Sequence, residues 1–238
     1  MARPAGGAQD QSEDTLPSTP RAVIWDMDGV LLESADLHYQ SWVEVLQDYG
    51  LTMGREQFEQ TFGMNNRNLL RAIFGDRLSE EQVAEIGSRK EARYRELVRG
   101  RVQALPGVRE WLARLSREGW RQAVASSAPM ANIAAILNEL ELWPEFDAVL
   151  SGGRLPLSKP DPGIFLQAAA ALGVPPERCV VIEDGTVGIE AARRAGMRSI
   201  AVTTTHPAEE LRGADVVVDR LDHLAEDAFD RLVENKPG

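Results

Sequence analysis

The sequence predicts an α/β protein, a doubly wound parallel sheet with an all-helical domain inserted near its start. Three observations predict it. From residue 106 onward, short apolar runs ending in acidic or hydroxyl residues alternate with segments of helical spacing. The stretch 36–100 carries helical spacing and no strand signal. A chain of 238 residues, 43% hydrophobic, is long enough for one sizeable core and one smaller unit.

Residues 1–20 are rich in Pro, Gly, Ser, Thr, Gln and acids, have no apolar period, and are expected to form a disordered tail. They lack the apolar stretch of a secretory signal. Ala22-Val23-Ile24-Trp25 reads as a buried strand stopped by Asp26, with Asp28-Gly29 as a turn. Trp25 is expected in the core. Leu37, Trp42, Val45 and Leu46 mark a helix that Gly50 ends. Helices follow near 54–62 and 66–74, and Ser79-Glu80-Glu81-Gln82 has the form of a capping box opening a long helix. The helical domain is therefore drawn at 36–100, and the α/β core at 21–35 and 101–238.

Beyond it, Pro106-Gly107 opens a helix closed by Gly119, and a strand at 121–125 ends at Ser126-Ser127. A helix at 130–141 precedes a strand at 147–150 and a Gly-rich loop. Asp161 is expected to be an N-cap with Pro162 at the first helical position, the helix running to Leu172. Strand 179–182 ends at Glu183-Asp184, and a helix at 186–195 ends at Gly196. Two further strands are Ser199–Val202 and Asp215–Val218.

A net charge of −11 and a pI near 4.9 argue against a nucleic-acid binder. No apolar run is long enough to span a bilayer. The single cysteine, Cys179, excludes a disulfide framework and a multi-cysteine zinc site, and is expected to be an inert core thiol. With no export signal, the expected compartment is the cytoplasm. A monomer is the default.

In parallel sheets covered on both faces, ligands bind beyond the carboxyl ends of the strands. That rule brings Asp26, Ser126, Glu183, Asp184 and Lys159 to one crevice. Crowded carboxylates repel unless a cation sits among them, and Mg2+ fits best beside phosphate substrates. Ser126 and Lys159 suit phosphoryl oxygens. Taken singly, each has a plainer reading: a turn at Asp28, a surface lysine, a helix-capping serine, a polar strand end. Their joint placement carries the case.

Asp26-Met27-Asp28-Gly29-Val30-Leu31-Leu32 resembles the first motif of the haloacid dehalogenase-like (HAD) hydrolases, whose core is Rossmann-like. Ser126 after an apolar strand resembles the second, Ser158-Lys159-Pro160-Asp161-Pro162 the third, and Glu183-Asp184-Gly185 the fourth. The helical block falls where this family inserts its helical cap, as in the β-phosphoglucomutase-like and phosphoglycolate phosphatase-like members. The resemblance implies an aspartyl-phosphate at Asp26, with Asp28 as acid and base. It implies Mg2+ held by Asp26, Asp28 through its backbone carbonyl, and Asp184, with Glu183 close by or ligating. Ser126 and Lys159 would bind the phosphoryl group. Candidate cap contacts are His38, Asn66 and Arg67. For these the plainer readings are a solvent-facing helix histidine and a surface salt bridge.

The implied function is a Mg2+-dependent phosphatase acting on a small phosphorylated metabolite, a sugar phosphate or similar monoester. The alternative is a β-phosphoglucomutase-type mutase. That subgroup carries a Ser-Lys pair and a cap lysine where this chain has Ala128-Pro129 and Phe62, which favours the phosphatase. Two further departures are Glu33 in place of Asp, and Gly185 in place of Ser. A dehalogenase does not need Asp28. A phosphonate-cleaving enzyme needs a cap lysine, for which Lys90, mid-helix among charges, is the one candidate. A signalling receiver domain has about half this length and a different order of acidic residues.

Overall fold

A computed structural model describes residues 19–234. The disordered tail expected over 1–20 lies outside the described residues except for Thr19 and Pro20. Six strands form one sheet: β1 (Ala22–Trp25), β2 (Arg121–Ser126), β3 (Ala148–Ser151), β4 (Cys179–Glu183), β5 (Arg198–Val202) and β6 (Val216–Val218). Their order is β3-β2-β1-β4-β5-β6, every pairing parallel. The order reverses between β1 and β4, which makes that pair the topological switch point.

The two-residue period of a strand sorts its side chains onto two faces. Val23 and Trp25 pack with Val124, Val180 and Ile182 on one face. That face is covered by α5 (Val108–Arg117), α6 (Met130–Glu139) and α9 (Ala228–Glu234). Ala22 and Ile24 pack with Ala123, Ala125, Cys179 and Val181 on the other, under α7 (Gly163–Leu172) and α8 (Thr186–Arg194). Burial on both faces explains why β1 and β4 read as unbroken apolar runs. Cys179 is fully buried and its thiol is pushed up to about 12, first by burial, as an inert thiol requires.

The helical block comprises α1 (Ala35–Gln47), α2 (Arg55–Thr61), α3 (Asn66–Phe74) and α4 (Glu80–Val98). Trp42, Leu46, Phe58, Leu70, Phe74, Val83 and Ile86 form its own apolar cluster. The capping box at Ser79 is present, with reciprocal bonds to Gln82. Two helices pass through both clusters. Leu37 of α1 and Tyr94, Leu97 and Val98 of α4 pack with the sheet's apolar cluster instead.

Two elements differ from expectation. The Asp161 carboxylate does accept the Gly163 N–H at 2.9 Å, but α7 starts at Gly163, so Pro162 is the cap residue and not the first helical one. Helix α9 was not expected. Phe229 anchors it, meeting Trp111 edge-on at 5.0 Å and Trp120 at 5.8 Å.

Candidate active site

The chain leaves β1 at Asp26 and β4 at Glu183-Asp184, side by side at the switch point. The Asp26 N–H still donates to the Ile182 carbonyl at 3.0 Å, which holds the two strand ends in register. Carboxylate oxygens of Asp26, Glu183 and Asp184 lie within 4.8 Å of one another, and all three residues are buried. Lys159, from the loop after β3, enters between them. Its Nζ donates to Asp26 Oδ1 at 2.5 Å and to Glu183 Oε1 at 2.6 Å.

Two glycines make this crowding possible. Gly29 has φ +77°, and a Cβ there would stand 1.8 Å from Asp184 Oδ2. A Cβ at Gly188 would stand 1.9 Å from Glu183 Oε1. Glu183 is used on both sides: Oε1 takes Lys159, and Oε2 accepts the Asp184 and Gly185 N–H groups at 3.1 Å each. Ser126, at the end of β2, is buried, and its Oγ accepts the Ala128 N–H at 3.1 Å. Trp25 is fully buried, its Nε1 donating to Gln122 at 3.2 Å.

Asp28 sits in a separate set of contacts. Ser34 donates a short hydrogen bond to its Oδ1, and His38 Nε2 faces the same oxygen at 3.6 Å. His38 is not solvent-facing. Its ring stacks on Tyr94, centroids 3.8 Å apart, and its Nδ1 lies 2.8 Å from Lys90 Nζ. An ammonium has no acceptor, so Nδ1 accepts and the neutral ring carries its proton on Nε2, toward Asp28. Burial, then the charge of Lys90, pushes the His38 pKa down and favours that neutral form. Lys90 is buried with Glu91 at 3.0 Å. At Asp28, burial is opposed by hydrogen bonds and by nearby positive charge, and these win. Burial pulls its pKa up, but His38, Ser34 and the Lys90 charge bring it below the ordinary range.

The remaining cap candidates lie farther out. Asn66 Nδ2 donates to Glu91 at 2.8 Å. Arg67 is 65% exposed and pairs at 2.8 Å with Glu80 of α4, a surface ion pair to the neighbouring helix and not one within its own. Asn132 of α6 bridges to the same place: it donates to Glu91 and accepts from Arg95 at 2.9 Å.

Ser34 and Lys90 were not among the expected site residues. Lys90 had a signal: it falls in the stripe Val83, Ile86, Lys90, Tyr94, Leu97, the buried face of α4. Ser34 was visible only as part of a motif departure.

Asp26 is pushed up to about 7, first by burial and then by Glu183, with Lys159 acting the other way. Asp184 is raised well above the carboxylate range, again by burial and then by Glu183 and Asp26. One lysine thus leaves the three carboxylates short of positive charge. A hard divalent cation with oxygen ligands meets that shortage, so the residues present fit Mg2+.

A raised carboxylate pKa means that the folded state binds the proton more tightly. Its part of the stability is present at pH 4 and is lost as pH rises toward 7. Asp26→Asn removes that loss and leaves His38 in place. In EDTA, its melting temperature relative to the parent protein is expected to rise between pH 5 and pH 8, on the order of 5 °C. A pH-independent difference in calorimetry would show that Asp26 titrates in the ordinary range.

An acidic, lysine-clamped crevice at the switch point of a doubly wound sheet defines an α/β enzyme, here with a helical domain reaching down to the crevice through His38 and Lys90. The haloacid dehalogenase-like hydrolase profile matches residues 20–196. The chain belongs to that family of hydrolases. Beta-phosphoglucomutase from Bacillus subtilis is 33% identical over 86% of this chain and 91% of its own length. Hexitol phosphatase B from Escherichia coli is 34% identical over 87% of this chain and 96% of its own. The crystal structure of CbbY from Rhodobacter sphaeroides in complex with phosphate superposes with a TM-score of 0.82 at 27% identity, covering 89% of this chain and all of that one.

Proposed function

We propose that this chain is a Mg2+-dependent phosphatase that hydrolyses a sugar or polyol monophosphate through an aspartyl-phosphate at Asp26. The observation that carries the reading is the opposite tuning of two nearby aspartates. Asp26 is clamped by Lys159, and Asp28 is held by Ser34 and His38 outside that clamp. Such pairs mark the separate roles of nucleophile and acid–base.

An Asp26 oxygen attacks phosphorus, and the bond to the leaving oxygen breaks. Asp28 gives that oxygen its proton. Asp28 then takes a proton from water, which attacks phosphorus and breaks the bond to Asp26. In the free site Asp28 is ionised; a phosphate dianion beside it raises its pKa toward the acid role. Lys159 and Ser126 hold the transferring oxygens. Asp26, Asp184 and the Asp28 backbone would hold Mg2+, which supplies positive charge for the equatorial oxygens when bound.

The mutase reading is supported by the 33% identity to beta-phosphoglucomutase. Charge in the helical domain favours the phosphatase. A mutase must also hold a second phosphate. Among the described residues near Asn66, the cations are already engaged: Arg67 by Glu80, Arg95 by Asn132, Lys90 by Glu91 and His38.

The test is phosphate release from a panel of hexose, pentose and hexitol monophosphates with MgCl2. A parallel arm measures conversion of β-glucose 1-phosphate to glucose 6-phosphate in the presence of glucose 1,6-bisphosphate. Release that stops with EDTA supports the phosphatase. Isomerisation with little release would replace it by the mutase.

A further inference from the structure

We propose that Thr205, oriented by His206, is a positioning residue for Asp184, holding one carboxylate oxygen so that the other faces the acidic cluster. The inference rests on the reading of that cluster as a divalent-cation site. Nothing in the motifs points to it: Thr205 lies in the loop after β5, outside all four of them, 21 positions from Asp184.

The hydrogen-bond geometry is specific. Thr205 Oγ1 lies 2.6 Å from Asp184 Oδ2 and 3.2 Å from the Asp184 carbonyl oxygen. His206 Nδ1 lies 2.9 Å from the Thr205 hydroxyl and 3.1 Å from the same carbonyl. A hydroxyl has one proton, and Asp184 holding a cation is ionised and only accepts. The short contact therefore takes the Thr205 proton to Oδ2. His206 Nδ1 has then nothing to receive, so it carries a proton and donates, to the Asp184 carbonyl or to the Thr205 oxygen. Donation into that oxygen strengthens the bond that Thr205 makes onward.

Oδ2 is also closed from a second side. It is the atom that a Cβ at Gly29 would strike at 1.8 Å. Between the Gly29 backbone and the Thr205 hydroxyl, Oδ2 is fixed, and the carboxylate cannot rotate about its own axis. Oδ1 makes no protein hydrogen bond among the described residues. It is the oxygen left to join Asp26 as a ligand. The loop is itself anchored, with Thr203 N–H donating to the Val218 carbonyl at 2.9 Å across the sheet edge.

Outer hydrogen-bond partners of metal ligands are worth about 10- to 100-fold in metal affinity. Thr205 is solvent-exposed, so its replacement opens no cavity in the core. Thr205→Val keeps the shape and removes the hydroxyl, whereas Thr205→Ser keeps the hydroxyl. Mn2+ is titrated into the full chain at pH 8, and free Mn2+ is read from its electron paramagnetic resonance signal. Asp26→Asn serves as the variant with a damaged cluster. The expected result is Mn2+ affinity about 10-fold weaker in Thr205→Val, near the parent value in Thr205→Ser, and reduced to a smaller degree in His206→Ala. Parent-like affinity in Thr205→Val overturns the positioning role while leaving the cation site standing. A parent protein whose Mn2+ uptake is no greater than that of Asp26→Asn overturns the cation site, and this inference with it.

Discussion

Asp26→Asn is expected to lower phosphate release by at least about 10⁴-fold, the scale on which removal of a catalytic nucleophile acts. The amide is nearly isosteric with the carboxylate, and Asp26 is held by its backbone bond to Ile182 as well as by Lys159. Loss of activity should therefore come without loss of fold. The raised pKa of the parent residue adds a direction: the amide removes one charge from a crowded acidic cluster, so the cation-free variant should melt above the parent at pH 8. Activity is read as phosphate release, with melting curves on the same samples. Retention of even one-hundredth of the parent rate would exclude Asp26 as the nucleophile.

Lys159→Met carries the largest expected effect on stability. Lys159 is the shared partner of two buried carboxylates, and burial alone would push its pKa down; Asp26 and Glu183 outweigh that and hold it above the ordinary value. Removing one member of a buried ion pair costs about 3–5 kcal/mol, because the charge left behind is uncompensated. The loss, measured by urea unfolding at pH 8 in EDTA, should shrink at pH 5, where Asp26 is protonated and no longer needs the lysine. Turnover should fall by about 10²- to 10³-fold, the scale for one group stabilising transition-state charge. A stability loss below about 1 kcal/mol would mean that water or another cation replaces the ammonium.

How much was legible in the sequence follows from what each contact depends on. Asp26 and Glu183-Asp184 were readable because a parallel strand buried on both faces is an unbroken apolar run, so its first acid marks the exit from the sheet. Lys159 was readable from its motif. The surroundings of Asp28 were not. His38 and Lys90 are 52 positions apart and meet only because α1 and α4 pack together, a fact of tertiary geometry. The charges flanking Lys90 also masked its apolar stripe. Glu183 was left either beside the cation or ligating it; its bonds to Lys159 and to two backbone N–H groups depend on the missing Cβ of Gly188. Helix α9 was lost among the charges of the C-terminal stretch, where Phe229 is the aromatic that packs onto Trp111 and Trp120.

The passage of α1 and α4 through both apolar clusters has a mechanical consequence. The lower ends of these helices, at Leu37 and at Tyr94, Leu97 and Val98, are anchored to the sheet, while Trp42, Val83 and Ile86 belong to the upper block. A swing of the upper block would have to be taken up inside the helices, between Leu37 and Trp42 and between Ile86 and Tyr94, as well as in the connecting peptides. Those two spans contain His38, Lys90 and Glu91. A bend there would move the imidazole from Asp28 and weaken part of what holds its pKa down, the Ser34 hydrogen bond remaining. The acidity of Asp28 would in this way be geared to the posture of the helices above it.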